Sequence, residues 1–413
     1  MLRGSVAWVC RGVLVAVLLG AGASGPQASA APQAQRCGAA SCTRAGTIRW
    51  QETLPGAFVI PDDSRGTVPA AGEPYAAMGP QFAVFGLGTV VTAYDANRGS
   101  RRWTVRLKGL RRGAQIVSTR AWPGTITVGI ALPAGRHERQ ATQTEVVLRA
   151  STGQVIRSYP STSFGGAVAA DGRNSVIVGP GAVTEYENST GRVVWRRPTG
   201  AVPQHWELDG HFLYVTVASG GHLASWPVTA LRKIDLHSGA ERIIRPKSAS
   251  FTGMLSAALD GVALFSGPAG VTAYSGTTGR WLWHVAGALP QGVDLLRRRF
   301  YLTEGSEVIG VGPYGGMESR LPGSAGLYGE RGGVAFGLDE GANGQAWGVD
   351  ESSKRVTWST RRISWPHVFV DLGGLGGSAD PRTDAIILAA CAQVNRGVNP
   401  PRCTKPELVA INR

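Results

Sequence analysis

The residues of this 413-residue chain best suited to hold a metal or to act as nucleophiles are its seven histidines and five cysteines. The histidines stand at positions 137, 205, 211, 222, 237, 284 and 367. No H-E-x-x-H or other close pair occurs among them, so structural or surface roles are expected. Apart from Cys10, the cysteines form two pairs, Cys37 with Cys42 and Cys391 with Cys403. Neither pair has the two-residue spacing of a zinc knuckle and no histidine sits beside them, so a metal is the poorer reading. Asp62-Asp63 could be a paired acid site, but after a proline it reads as an ordinary turn. The run Gly373-Gly374-Leu375-Gly376-Gly377 lacks the Lys-Ser/Thr and helix of a phosphate cradle, and reads as a loop. Asn188-Ser189-Thr190 has the form of a glycosylation acceptor in letters that a turn already explains. No catalytic residue, metal site or cofactor is therefore expected.

The first thirty residues carry Arg3 and Arg11, an apolar run from Val13 to Leu19, and small residues ending in Ala28-Ser29-Ala30. That layout is a cleavable secretory signal, with cleavage expected after Ala30. The apolar run is too short for a membrane anchor, which needs about 20 residues. In an exported chain an even set of four cysteines reads as disulfides. Three connectivities are possible, and the two local ones are favoured. The formal net charge of +14 is spread in short runs such as Arg297-Arg298-Arg299. A surface of this kind attracts anionic envelope polymers at long range, without the concentrated patch of a specific nucleic-acid binder.

Positioning is governed by a repeat. A short apolar strand, a polar residue, three residues, Gly, three residues and Trp recur in VVTAYDANRGSRRW (Asp95, Gly99, Trp103), AVTEYENSTGRVVW (Glu187, Gly191, Trp195) and GVTAYSGTTGRWLW (Ser275, Gly279, Trp283). Weaker copies set Gly153 before Arg157, Gly239 before Ile243, Gly316 before Arg320, and Lys354 before Trp358. The frame predicts a β-hairpin whose turn needs Gly at positive φ, and whose second strand delivers Trp to one fixed place. A second hairpin, marked by Asp171-Gly172, Asp209-Gly210 and Asp260-Gly261, precedes it in several units. Two hairpins make a four-stranded unit. Turn positions at 46, 99, 153, 191, 239, 279, 316 and 354 count eight units, or seven if the stretch around Gly316 is only a loop. The chain beyond residue 30 then allots about 48 residues to each, near the ~40–50 of a propeller blade.

The expected fold is an all-β, eight-bladed β-propeller over residues 46–413, after a signal (1–30) and an N-terminal segment (31–45). Near its start the sequence has only the second half of a repeat, GTIRW, and it finishes with a first half, LVAIN. The two halves are expected to complete one shared blade and close the ring, which removes free sheet edges. Both cysteine pairs would flank that seam.

With Trp50, Trp103, Trp195, Trp283 and Trp358 each four residues past the turn position, the chain resembles the pyrroloquinoline-quinone-type repeat family. That family includes quinone-dependent alcohol dehydrogenases, a lipoprotein of the outer-membrane β-barrel assembly machinery, and many secreted propellers. The resemblance implies that these five tryptophans dock blade against blade. It carries little of the quinone chemistry: the family's enzymes hold the cofactor with a disulfide of adjacent cysteines, and no two cysteines are adjacent here. Trp122, Trp206, Trp226, Trp347 and Trp365 lie off the frame, and either form a rim binding surface or pack under loops. The resulting expectation is an exported, monomeric, non-enzymatic propeller that binds an unidentified protein or an anionic envelope polymer. A quinone- or metal-dependent oxidoreductase is the alternative.

Overall fold

The computed structural model describes residues 45–412 except 55–57, 60–74, 80–81, 133–141, 162–165, 171, 180, 201–202, 218–227, 248–249, 295–296, 306, 323–325, 332–333, 340–344, 361–366, 372–384 and 399–401. Every regular element among these residues is a β-strand. No helix there is long and apolar enough to cross a membrane.

Seven sheets each take four consecutive antiparallel strands. The first holds Tyr75–Gly79, Phe82–Leu87, Val90–Asp95 and Arg101–Arg106, and the second Gln115–Trp122, Thr125–Leu132, Thr142–Arg149 and Val155–Ser161. The third holds Gly166–Ala170, Asn174–Gly179, Ala182–Glu187 and Val193–Pro198, and the fourth Pro203–Asp209, Phe212–Val217, Leu231–Asp235 and Glu241–Ile244. Met254–Leu259, Val262–Gly267, Gly270–Ser275 and Trp281–Ala286 make the fifth, and Leu289–Asp294, Arg299–Glu304, Glu307–Val311 and Met317–Pro322 the sixth. The seventh holds Gly326–Arg331, Val334–Asp339, Gln345–Asp350 and Val356–Ser359. An eighth, of five strands, combines His367–Asp371, Ala385–Asn395 and Arg402–Asn412 with Ile48–Thr53, and the short strand Phe58–Val59 also pairs with Arg402–Asn412. An all-β chain of repeated four-stranded antiparallel sheets has the architecture of a β-propeller.

Burial explains the composition of the strands. Second and third strands are almost continuously buried, as in Phe82–Leu87 and Thr125–Leu132, because neighbouring sheets cover both faces. Fourth strands alternate, with exposed positions on either side of the buried Trp283 in Trp281–Ala286. Apolar clusters straddle consecutive sheets. Trp50, Phe85, Tyr94 and Leu408 join the eighth to the first, Val84, Ile116, Ile126 and Val146 the first to the second, and Val178, Trp195, Trp206 and Val215 the third to the fourth. Each such fully buried side chain is worth about 1.5–3 kcal/mol of transfer free energy.

The recurrent turn has a local cause. Asp95 Oδ1 accepts the N–H groups of Asn97 and Arg98, and Asp235, Ser275 and Asp350 make the same contacts in their own turns. Gly99 closes the loop at φ +72°, with its N–H on the Asp95 carbonyl, and Asp95 N–H bonds Ser100 O. Lys354 takes the corresponding left-handed position in the seventh sheet, at φ 59°.

The chain ends reproduce this turn without a covalent link. Gly46 N–H donates to Asn412 O at 2.8 Å, and Asn412 N–H donates to Thr47 O at 2.9 Å. Ile48, Trp50 and Gln51 then pair with Ile411, Ala410 and Val409. Cys391 and Cys403, on the second and third strands of this sheet, are disulfide-bonded with Cα atoms 5.7 Å apart.

Candidate functional site

The five frame tryptophans lie on fourth strands, and each meets the turn of the next sheet. Trp50 Nε1 donates to Ala96 O at 2.9 Å, Trp103 Nε1 to Ala150 O at 2.8 Å, and Trp283 Nε1 to Pro313 O at 2.8 Å. A Cβ on Gly99 would come within 2.7 Å of the Trp50 ring, and one on Gly153 within 2.5 Å of Trp103. Glycine is thus required twice over, by its φ and by the indole laid across it. Trp195 lies in the same way against Gly239, and Trp358 against Gly46.

Where the frame loses its Trp, the structure corrects the expected residue in two of three cases. Arg157 does occupy the position, donating from Nε to Asn188 O and from Nη2 to Ser189 O, both at 3.1 Å. In the fourth sheet the outer strand lacks the bulge of its counterparts, so Arg232 pairs with Ile243 and Leu231 with Ile244. Ile243 therefore faces solvent, and Ile244 packs toward Gly279. In the sixth sheet the turn is one residue shorter, with Gly312 N–H on Gly316 O, and its left-handed glycine is Gly315 in place of Gly316. Arg320 consequently points outward to Glu304 and Glu307, and Ser319 fills the buried position.

Charged groups take over at that sixth-to-seventh junction. Arg299, only 1% exposed, reaches the Glu351 carboxylate in the next turn, the Tyr301 hydroxyl, and Ser319 Oγ at 3.2 Å. Asp294 Oδ2 lies 3.8 Å from its Nε, and Arg297 binds the second Glu351 oxygen at 2.9 Å. Burial raises the Tyr301 pKa, so the phenol stays neutral.

A second buried group spans three first strands. Arg120 Nη1 donates to Ala167 O at 2.8 Å, and its guanidinium lies 4.2 Å from the centre of the Trp206 ring. Beside it, Glu145 is buried in room left by the missing side chains of Gly129 and Gly166. Burial pushes its carboxyl up to about 7, against the opposing pull of Arg120 and of a hydrogen bond from the Ala167 backbone. The arrangement can hold or release one proton near neutrality. Sequence reasoning missed both groups because their members come from different sheets.

Comparison with known proteins follows from this repeat geometry. The family model described as outer membrane protein assembly factor BamB matches residues 89–360. The chain belongs to this PQQ-like repeat family. The match runs from the third strand of the first sheet to the end of the seventh and leaves the eighth outside it. Among solved structures, BamB from Moraxella catarrhalis is 19% identical with a TM-score of 0.42, over 68% of this chain and 80% of that one. Dihydro-heme d1 dehydrogenase NirN is 16% identical with a TM-score of 0.49, over 69% of this chain and 66% of that one. No curated protein sequence matches the chain.

In this PQQ-like chain the off-frame tryptophans are divided. Trp206 and Trp347 are buried strand residues, and Trp122 is half-buried with its Nε1 on Thr127 Oγ1. Exposed large apolar side chains fall chiefly on fourth strands, among them Val155, Val193, Ile243, Trp281, Met317 and Val356. Tyr314 (77% exposed) lies in the Pro313–Gly315 turn on which Trp283 rests, with Met317 (57%) just after it, whereas Trp281 (57%) pairs with Tyr274 and faces away from Trp283, which pairs with Ala273. The histidines, expected to be unpaired, include two that the fold brings together: His211 and His237 have ring centres 5.1 Å apart. Residues 1–44, Asp62-Asp63, His137, His222, Trp226, Trp365 and the Gly373–Gly377 run lie outside the described residues.

Proposed function

We propose that this chain is an exported, monomeric, non-enzymatic propeller of eight blades that serves as a protein-binding scaffold in the cell envelope. The ring closes through the eighth blade, shared between the chain ends, and the five frame tryptophans and their substitutes dock blade to blade. The observation that carries the binding reading is the exposure of large apolar side chains on and beside fourth strands, Trp281, Tyr314 and Met317 the most open of them. Aromatic side chains with a dry flank and a wet tip are those that anchor partner proteins. The family's description as an assembly factor supports a protein partner over an envelope polymer. No quinone is invoked. The tryptophans that carry the family resemblance are engaged against neighbouring turns, and so supply no cofactor sandwich.

Cross-linking on intact cells with the wild-type chain and with Trp281→Ala/Tyr314→Ala tests the reading. A discrete protein adduct that falls at least tenfold in the double variant is expected. An undiminished adduct would exclude these two aromatic side chains as the binding surface. Absence of any adduct, with free monomer in the medium, would overturn the scaffold role.

A further inference from the structure

The fourth sheet carries a cluster that none of the sheet-to-sheet docking uses. His211 stands in the turn between the first and second strands of that sheet, and Asp235 and His237 in the turn between its third and fourth. The pairing of Phe212 with Asp235 sets the two turns side by side, and Leu236 N–H closes them onto His211 O at 2.9 Å. The ligand atoms of His211, Asp235 and His237 lie within 4.8 Å of one another. Asp235 Oδ1 accepts the backbone N–H groups of His237 (2.8 Å) and Ser238 (3.2 Å), which fixes the carboxylate, and lies 3.9 Å from His237 Nδ1. His211 rests against Phe212, ring centres 4.0 Å apart, which restricts one imidazole.

Turn chemistry accounts for the aspartate, since the same position holds Asp95 and Asp350 elsewhere, but it does not account for two histidines. The matching positions are Arg173 and Ser189 in the third sheet, and Gly261 and Thr277 in the fifth. Neither pair offers an imidazole or a carboxylate. We propose that His211, Asp235 and His237 form a surface site for a divalent transition metal of the Zn²⁺, Ni²⁺ or Cu²⁺ class. Two imidazoles and one carboxylate, with a remaining position open to water or to a partner's side chain, suit these borderline ions and not Mg²⁺ or Ca²⁺. Metal bonds of about 2.0–2.2 Å to all three groups require the exposed His211 and His237 rings to rotate from their present spacing. The site lies on the face formed by the repeated turns, so a bound ion there could bridge to a protein partner.

The test is calorimetric titration of the untagged mature chain with ZnCl₂, and of the same chain with CoCl₂ read by its visible absorption. One equivalent should bind, with Kd raised at least tenfold in His211→Ala and in His237→Ala. His284→Ala should leave it unchanged, because His284 lies in the fifth sheet with Nδ1 on Thr272 Oγ1. Melting curves verify that all three variants are folded. Equal binding in every variant, or no binding of either ion by the wild type, would overturn the assignment.

Discussion

Arg299→Met should lower the stability of the sixth-to-seventh junction by about 3–5 kcal/mol, read as a fall in the urea midpoint. The arginine is buried among Glu351, Asp294 and Tyr301, and the methionine keeps most of its volume while deleting the charge. Two carboxylates are then left with little access to water and without their main cation, and an uncompensated buried charge is the expensive outcome. The corollary is a rescue. Adding Glu351→Gln and Asp294→Asn to Arg299→Met should recover more than half of the loss, because the charges are then removed together. Retention of the full loss in the triple variant would mean that the arginine acts through packing, and an undiminished single variant would mean that the cluster is hydrated.

The second large effect depends on pH. The Glu145 carboxyl titrates at about 7 in the folded chain, above the ordinary value of 4.5. A raised carboxyl pKa means that the folded state holds its proton more tightly than the unfolded state. Its contribution is therefore complete below pH 4.5 and is lost as the pH rises through 7. At about 1.4 kcal/mol per pH unit, the wild type should lose on the order of 3 kcal/mol relative to Glu145→Gln across this window. Thermal melts of the two proteins should lie close together at pH 5, and the variant should be the more stable at pH 8. Parallel curves from pH 5 to 8 would show that the carboxyl is ionised throughout and paired with Arg120.

What the sequence revealed and what it hid have separate physical origins. The Asp95–Gly99–Trp103 frame was legible because its chemistry is local: a carboxylate caps two N–H groups within three residues, glycine takes a positive φ, and a bulge places Trp at a constant register. The same local logic picked out GTIRW and LVAIN as complementary halves, and the structure pairs them through Trp50 and Ala410. Where the local frame changed by one residue it misled. An absent bulge exchanged Ile243 for Ile244, and a shortened turn exchanged Gly316 for Gly315 and Arg320 for Ser319. Nothing in the order of residues ties Arg299 to Glu351 or Arg120 to Trp206, since those contacts exist only once sheets stand beside sheets. His211 and His237 were hidden for a related reason: strand pairing within one sheet, and not sequence spacing, makes them neighbours.

In the proposed propeller, Trp-on-turn docking and the sheet shared by residues 46–53 and 402–412 hold the ring shut. Hydrogen–deuterium exchange of the native protein tests this directly, by comparing residues 46–53 and 407–412 with the buried second strand Thr125–Leu132. Protection of both end segments to within tenfold of that strand is the predicted result, because Gly46, Asn412 and the strands beyond them are hydrogen-bonded to each other. Free exchange at 46–53 and 407–412, while the second to sixth sheets stay protected, would show an open ring and contradict the account.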